Sequence, residues 1–63
     1  MGVPYFTIYR DEAMQWRWIL YGLGDKRIAV SGQGYPDRDQ CVAAVHSVRL
    51  FASGAYVKEL NAG

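Results

Sequence analysis

Apolar and polar positions alternate with period two over Tyr5-Phe6-Thr7-Ile8-Tyr9-Arg10, a run rich in aromatic and β-branched residues, and this predicts a strand with two different faces. Polar turn formers at Asp11-Glu12-Ala13-Met14 end it. The same alternation resumes over Gln15-Trp16-Arg17-Trp18-Ile19-Leu20-Tyr21, with Trp16, Trp18 and Leu20 on one face and Arg17, Ile19 and Tyr21 on the other. Gly22-Leu23-Gly24-Asp25-Lys26 is turn chemistry that tolerates positive φ, and it leads to a third strand, Arg27-Ile28-Ala29-Val30-Ser31. Loops this short join antiparallel neighbours, so the three runs predict a meander.

After Gly32-Gln33-Gly34-Tyr35 the period changes. Asp37 is a suitable N-cap and Gln40 stands three positions on, a capping-box pattern that starts a helix at Arg38. On a 3.6-residue wheel Cys41, Ala44, Val45, Val48 and Ala52 form a narrow apolar stripe, with Phe51 at its edge. Ser53-Gly54 ends the helix, and Tyr56-Val57-Lys58-Glu59-Leu60 alternates as a fourth strand. The fold class is therefore α+β, a β-β-β-α-β unit with one helix packed on one face of an antiparallel meander.

A sheet has two faces and one helix covers one of them. Phe6, Ile8, Trp16, Trp18 and Leu20 are the natural floor for the helix stripe, which leaves Tyr5, Thr7, Tyr9, Arg17, Ile19 and Tyr21 on the opposite side. Half of that second face is aromatic, whereas the solvated face of an antiparallel sheet is normally polar. Val42 and Leu50 also point away from the stripe, and the last strand has no neighbour within a compact meander. An orphan strand is a ready edge for another chain, so self-association answers all three observations.

Size sharpens the point, because a chain of 63 residues makes one domain that buries only about 60% of its unfolded surface. Disulfides cannot reinforce it: Cys41 is the single cysteine and could bridge only to a second chain, and its isolation suits a reducing compartment. The N-terminal Met1-Gly2-Val3-Pro4 lacks a secretory signal, Phe6 occupies the position where a myristoylation motif wants Ser or Thr, and no run approaches the roughly 20 apolar residues of a membrane span. A cytoplasmic protein without membrane contact is expected. The net charge of +1 favours neither nucleic acid nor an acidic partner.

Chemistry is sparse. Cys41 and His46 are the only soft metal ligands, and five residues of helix turn them about 140° apart, so no metal and no cofactor is expected. Ser47 adjoins His46 and points elsewhere; Ser53 shares its face but lies about 10 Å along the axis, so no nucleophile and base meet. The carboxylates Asp11, Glu12, Asp25, Asp37 and Asp39 read as turn and cap residues. Gly32-Gln33-Gly34 before a helix has the look of a phosphate-binding turn, but the third glycine is absent and Asp37 and Asp39 put negative charge where a phosphate would sit. The alternative to a protein-binding role is single-stranded nucleic acid on the open sheet face, Tyr5, Tyr9 and Tyr21 stacking bases around Arg17, with Arg10, Lys26 and Arg27 near phosphates. Seven bases against six acids weigh against it.

From about Tyr5 to Glu59 the chain resembles the YegP-like family of small bacterial and archaeal domains of unknown function. The resemblance rests on Phe6-Thr7-Ile8-Tyr9-Arg10-Asp11, Trp16-Arg17-Trp18-Ile19-Leu20, Gly34-Tyr35, Ala44-Val45-His46-Ser47-Val48-Arg49 and Val57-Lys58-Glu59, in that order. It departs at Ala44, where glycine is common, and at Ile19, where a polar or basic residue is usual. The resemblance implies that single-copy members pair into homodimers sharing one continuous sheet and exchanging C-terminal strands, here Tyr56, Val57, Lys58, Glu59 and Leu60. It brings no activity. The sequence is thus read as one YegP-like domain over 1–63, non-enzymatic and homodimeric, a protein-binding or structural module for an unknown partner, with Tyr5, Tyr9, Arg17, Ile19 and Tyr21 as its interaction face.

Overall fold

A computed structural model describes residues 2–61. Three strands, β1 (Tyr5–Arg10), β2 (Trp16–Tyr21) and β3 (Arg27–Val30), form an antiparallel sheet in the order β1-β2-β3, followed by one helix, α1 (Arg38–Ala52). The α+β class and the meander are as the alternation predicts. No helix among the described residues is long and apolar enough to cross a membrane.

Register fixes the two faces. Phe6 lies opposite Leu20, Ile8 opposite Trp18 and Arg10 opposite Trp16, so these side chains share the side that α1 covers. Trp18, Cys41 and Val45 are the buried centre of that layer, with Phe6, Ile8, Trp16, Leu20, Ala29, Tyr35, Ala44 and Val48 packed around them. Phe6 meets Trp18 edge-on at 5.6 Å between ring centres, and the Arg10 guanidinium lies 5.9 Å over the Trp16 ring. Small residues on the helix allow this approach: Cys41 is fully buried, and Ala44 puts only a methyl group between helix and sheet. Ala52, expected in the stripe, is exposed together with Leu50 and Phe51, because the last helical turn contributes nothing to the packed layer.

The turns show why the strands stop where they do. Asp11 receives the Met14 N–H on its carbonyl at 3.0 Å and donates its own N–H to the Gln15 carbonyl at 2.8 Å, which closes the hairpin before Trp16. Met14 has φ 64°, the left-handed conformation that a hairpin of this length requires and that glycine adopts without steric cost. In the next loop Gly24 (φ 71°) and Asp25 (φ 59°) supply the positive φ angles expected there. The pairing of β3 slips by one residue between Leu20 and Tyr21, so Ile28 is an unmatched bulge residue.

Ser31 lies outside the strand predicted to contain it. Its N–H donates to the Trp18 carbonyl at 2.9 Å, but the Trp18 N–H donates to the Ser31 hydroxyl at 3.3 Å, where a sheet carbonyl would otherwise accept. The buried hydroxyl thus stands in for the backbone and releases the chain. It returns at Tyr35, which exchanges two hydrogen bonds with Trp16 at 2.7 and 2.8 Å. Gly34 makes that return possible, since a Cβ there would lie 2.6 Å from the Gln15 Cβ.

Two further expectations change. Asp37 holds the N-cap position with extended backbone, and its carbonyl accepts the Cys41 N–H at 3.2 Å, but its carboxylate makes no cap hydrogen bond; the capping box is not formed. Asp37 is exposed, and water can serve the free N–H groups of the first turn. Tyr56–Leu60, expected as a fourth strand, joins no ladder within the single chain and is exposed throughout.

Two substitutions test the turns. Gly34→Ala should destabilise the fold by roughly 1–3 kcal/mol, because the new methyl group overpacks against Gln15 and loosens the Trp16–Tyr35 bridge. Met14→Gly should stabilise it by about 0.5–1 kcal/mol, since relief at positive φ outweighs the added freedom of the unfolded chain and Met14 is exposed. Thermal denaturation reads both, with opposite signs of the shift in Tm.

Candidate functional site

The side of the sheet away from α1 collects the residues singled out above. Tyr5 pairs with Tyr21, Thr7 with Ile19 and Tyr9 with Arg17, so Tyr5, Tyr9, Arg17, Ile19 and Tyr21 do share one face. One residue joins them that the sequence reading passed over: Val30 lies opposite Ile19 and is 52% exposed. The alternation Ala29-Val30 carried that signal. Ile19 sits at the centre of the patch with 9% of its surface exposed although no helix covers it, screened by its cross-strand neighbours Thr7 and Val30.

The polar groups of this face are tied to one another. Asp11 accepts on one carboxylate oxygen from the Ala13 and Gln15 N–H groups, each at 2.9 Å, and on the other from Arg17 Nε at 2.6 Å. The Arg17 bond, then those from Gln15 and Ala13, hold the Asp11 carboxyl below its ordinary pKa, and the same pair raises Arg17. At the other end Tyr5 stacks on Tyr21 with 5.1 Å between ring centres, and the Tyr5 hydroxyl donates to Asp25 at 2.9 Å. That hydrogen bond to a carboxylate raises the Tyr5 pKa.

This arrangement changes what the face offers. Arg17, the cation at the heart of a base-stacking platform, is paired to Asp11, and Arg10 is on the other side of the sheet above Trp16. Tyr5 and Tyr21 stack on each other rather than standing apart to receive bases. What remains open is an apolar surface of Tyr5, Tyr9 and Val30.

Elsewhere the chemistry stays dispersed. Cys41 is fully buried against the sheet, burial pushing its thiol pKa up, while His46 is exposed on the outer side of α1. A bridge from Cys41 to another chain would need the core opened. Among the described residues no three His, Cys, Asp or Glu side chains gather as a metal site. A shallow cavity of about 380 Å³ on the helix is lined by His46, Arg49 and Leu50. The second exposed apolar region is the chain end itself, where Tyr56, Val57 and Leu60 are 83%, 95% and 80% exposed.

Comparison with known proteins gives a consistent picture. The profile of a domain of unknown function, DUF1508, matches residues 11–59. Two curated relatives, UPF0339 proteins of Neisseria meningitidis serogroups B and A, are each 34% identical over 56 residues, covering 89% of this chain and 98% of theirs. A protein from Haloferax volcanii, solved in solution by NMR, is similar in structure with a TM-score of 0.84 and 30% sequence identity, over 95% of this chain and 100% of that one.

The Asp11 clasp has a pH signature. Its lowered pKa means that the stabilisation is present above the ordinary carboxylate value of 3.8 and is lost as pH falls through the lower folded value. Asp11→Asn should therefore lower Tm at neutral pH, and the gap from the wild type should close on acidification below that range. A gap of constant size down to the acid transition would show that the carboxylate charge contributes nothing.

Proposed function

The chain belongs to the DUF1508 family of domains of unknown function, the YegP-like proteins, and we propose that within it this protein is a small non-enzymatic binding or structural module that acts as a homodimer, each copy lending Tyr56–Leu60 to the other. The observation that carries the reading is the surplus surface of the single chain. A compact protein of 7.1 kDa exposes about 4,100 Å², whereas this chain exposes 5309 Å². Its radius of gyration of 13.6 Å likewise exceeds the roughly 10.6 Å of a compact chain of 63 residues. An excess of about 1,200 Å² per chain is the size of surface that a stable dimer buries on each side.

The character of that surface supports the same conclusion. Among the described residues only Trp18, Ile19, Cys41 and Val45 are buried apolar residues, a thin core for a domain without disulfides. Tyr56 and Leu60 of the exposed chain end would share one side of an extended strand, and an extended segment of this kind is stabilised most simply by a sheet edge. The face formed by Tyr5, Tyr9, Arg17, Ile19 and Tyr21 then offers the dimer a surface for a protein partner. A fully buried lone cysteine suits a reducing, cytoplasmic setting.

Size exclusion with light scattering tests the proposal. The full chain should elute as a dimer across concentration and salt, without excess absorbance at 260 nm, and truncation after Ser53 should abolish both dimerisation and cooperative unfolding. A truncated chain that stays folded and monomeric would sink the exchange. A 260 nm excess removed by salt would move the open face to the nucleic-acid alternative.

A further inference from the structure

We propose that the open face of the sheet binds a proline-rich segment in polyproline II conformation, laid across the three strands with an acidic residue at its β3 end. This rests on the reading of that face as a surface for a protein partner. The register arranges the face in rows that cross the strands. Tyr5 and Tyr21 form one row, continued on β3 to Arg27, and Tyr9 with Arg17 forms another. Between them lies a row of smaller side chains, Thr7, Ile19 and Val30. The two aromatic rows are four residues apart along β1, about 14 Å at the rise of a strand. Ile19, the least exposed residue of the face, is the low point between them, so the tyrosines wall a shallow trough that runs across the strands.

Hydrogen-bonding capacity selects the occupant. The carboxylates on this side are already engaged, Asp11 by Arg17 and two backbone N–H groups and Asp25 by the Tyr5 hydroxyl. The hydroxyls of Thr7, Tyr9 and Tyr21 have no hydrogen-bond partner among the described residues. The face therefore offers aromatic rings and donors, with no free carboxylate to accept. An ordinary extended backbone would leave N–H groups unpaired there, whereas a proline-rich one has free carbonyls and few N–H groups. Its prolines also present the apolar rings that aromatic-lined grooves receive. Neither side has much to order, because Tyr5 and Tyr21 are already stacked on each other and polyproline II is preformed.

Length and charge agree with this. Three strands about 4.8 Å apart put the outer strand axes about 10 Å from each other, which one three-residue turn of polyproline II spans at about 3.1 Å per residue. The charge of Arg17 is taken up by Asp11, but Arg27 on β3 is exposed and joins no ion pair among the described residues. A carboxylate just beyond the proline turn on that side would meet the free guanidinium.

Chemical-shift mapping on the isotope-labelled full chain tests the assignment. The probes are a short polyproline peptide ending in glutamate, its glutamine-ended counterpart, a glycine-serine peptide of equal length and an oligothymidylate. Both polyproline peptides should shift the amide signals of Thr7, Ile19 and Val30, the glutamate-ended one binding more tightly, and the glycine-serine peptide should shift none. Tyr9→Ala should weaken binding at least about tenfold. Arg27→Gln should erase the difference between the two polyproline peptides. Equal affinity of the wild type for those two would overturn the acidic end. Absence of shifts with polyproline, or equal shifts with the glycine-serine peptide, would overturn the inference and leave the face to a protein partner of other chemistry. Shifts of the same residues by oligothymidylate alone would overturn it together with the protein-partner reading. Light scattering on the same samples reads the dimer separately, so the loss of one reading is told from the loss of the other.

Discussion

Trp18 and Ile19 are neighbours in the chain and point to opposite sides of the sheet, yet both are buried. That constraint organises the rest of the structure. A strand buried on both faces must be central, so β2 takes β1 on one side and β3 on the other, and each face must find its own cover. On the Trp18 side the cover is α1, brought close by Cys41 and Ala44. On the Ile19 side it is only the adjoining side chains of the sheet, Thr7 and Val30, and this is why an apolar surface survives there. The asymmetry between a roofed face and a screened one is the physical origin of the candidate site.

Much of this was legible from the period of the sequence. Alternation assigns the side chains of Tyr5–Tyr9 and of Trp16–Tyr21 to the faces that they occupy, because a strand has only two sides and one of them is apolar for the helix. The helix starts at Arg38 as read, with Cys41 and Val45 inward. What escaped were features that depend on the meeting of distant segments. The clasp of Asp11 on Arg17 spans a hairpin turn, so Asp11 reads in sequence as a turn former and nothing more. The substitution of the Ser31 hydroxyl for a carbonyl and the approach of Gly34 to Gln15 exist only once the chain has left β3 and come back.

The sequence also overstated local signals. Asp37 and Gln40 have the spacing of a capping box, but the helix is held by its packed stripe and the carboxylate is left to solvent. The alternation of Tyr56–Leu60 is a strand signal with no place in the chain's own sheet. Strand propensity states that a segment suits a pleated surface, and it is silent on whose surface that is.

The burial of Cys41 has a practical corollary. Its thiol has no exposed surface, and burial disfavours the thiolate that reacts with electrophiles. Any cysteine placed on the exterior would be the sole reactive thiol of the folded protein. The native chain is therefore suited to single-position attachment of dyes or spin labels with its own cysteine left in place.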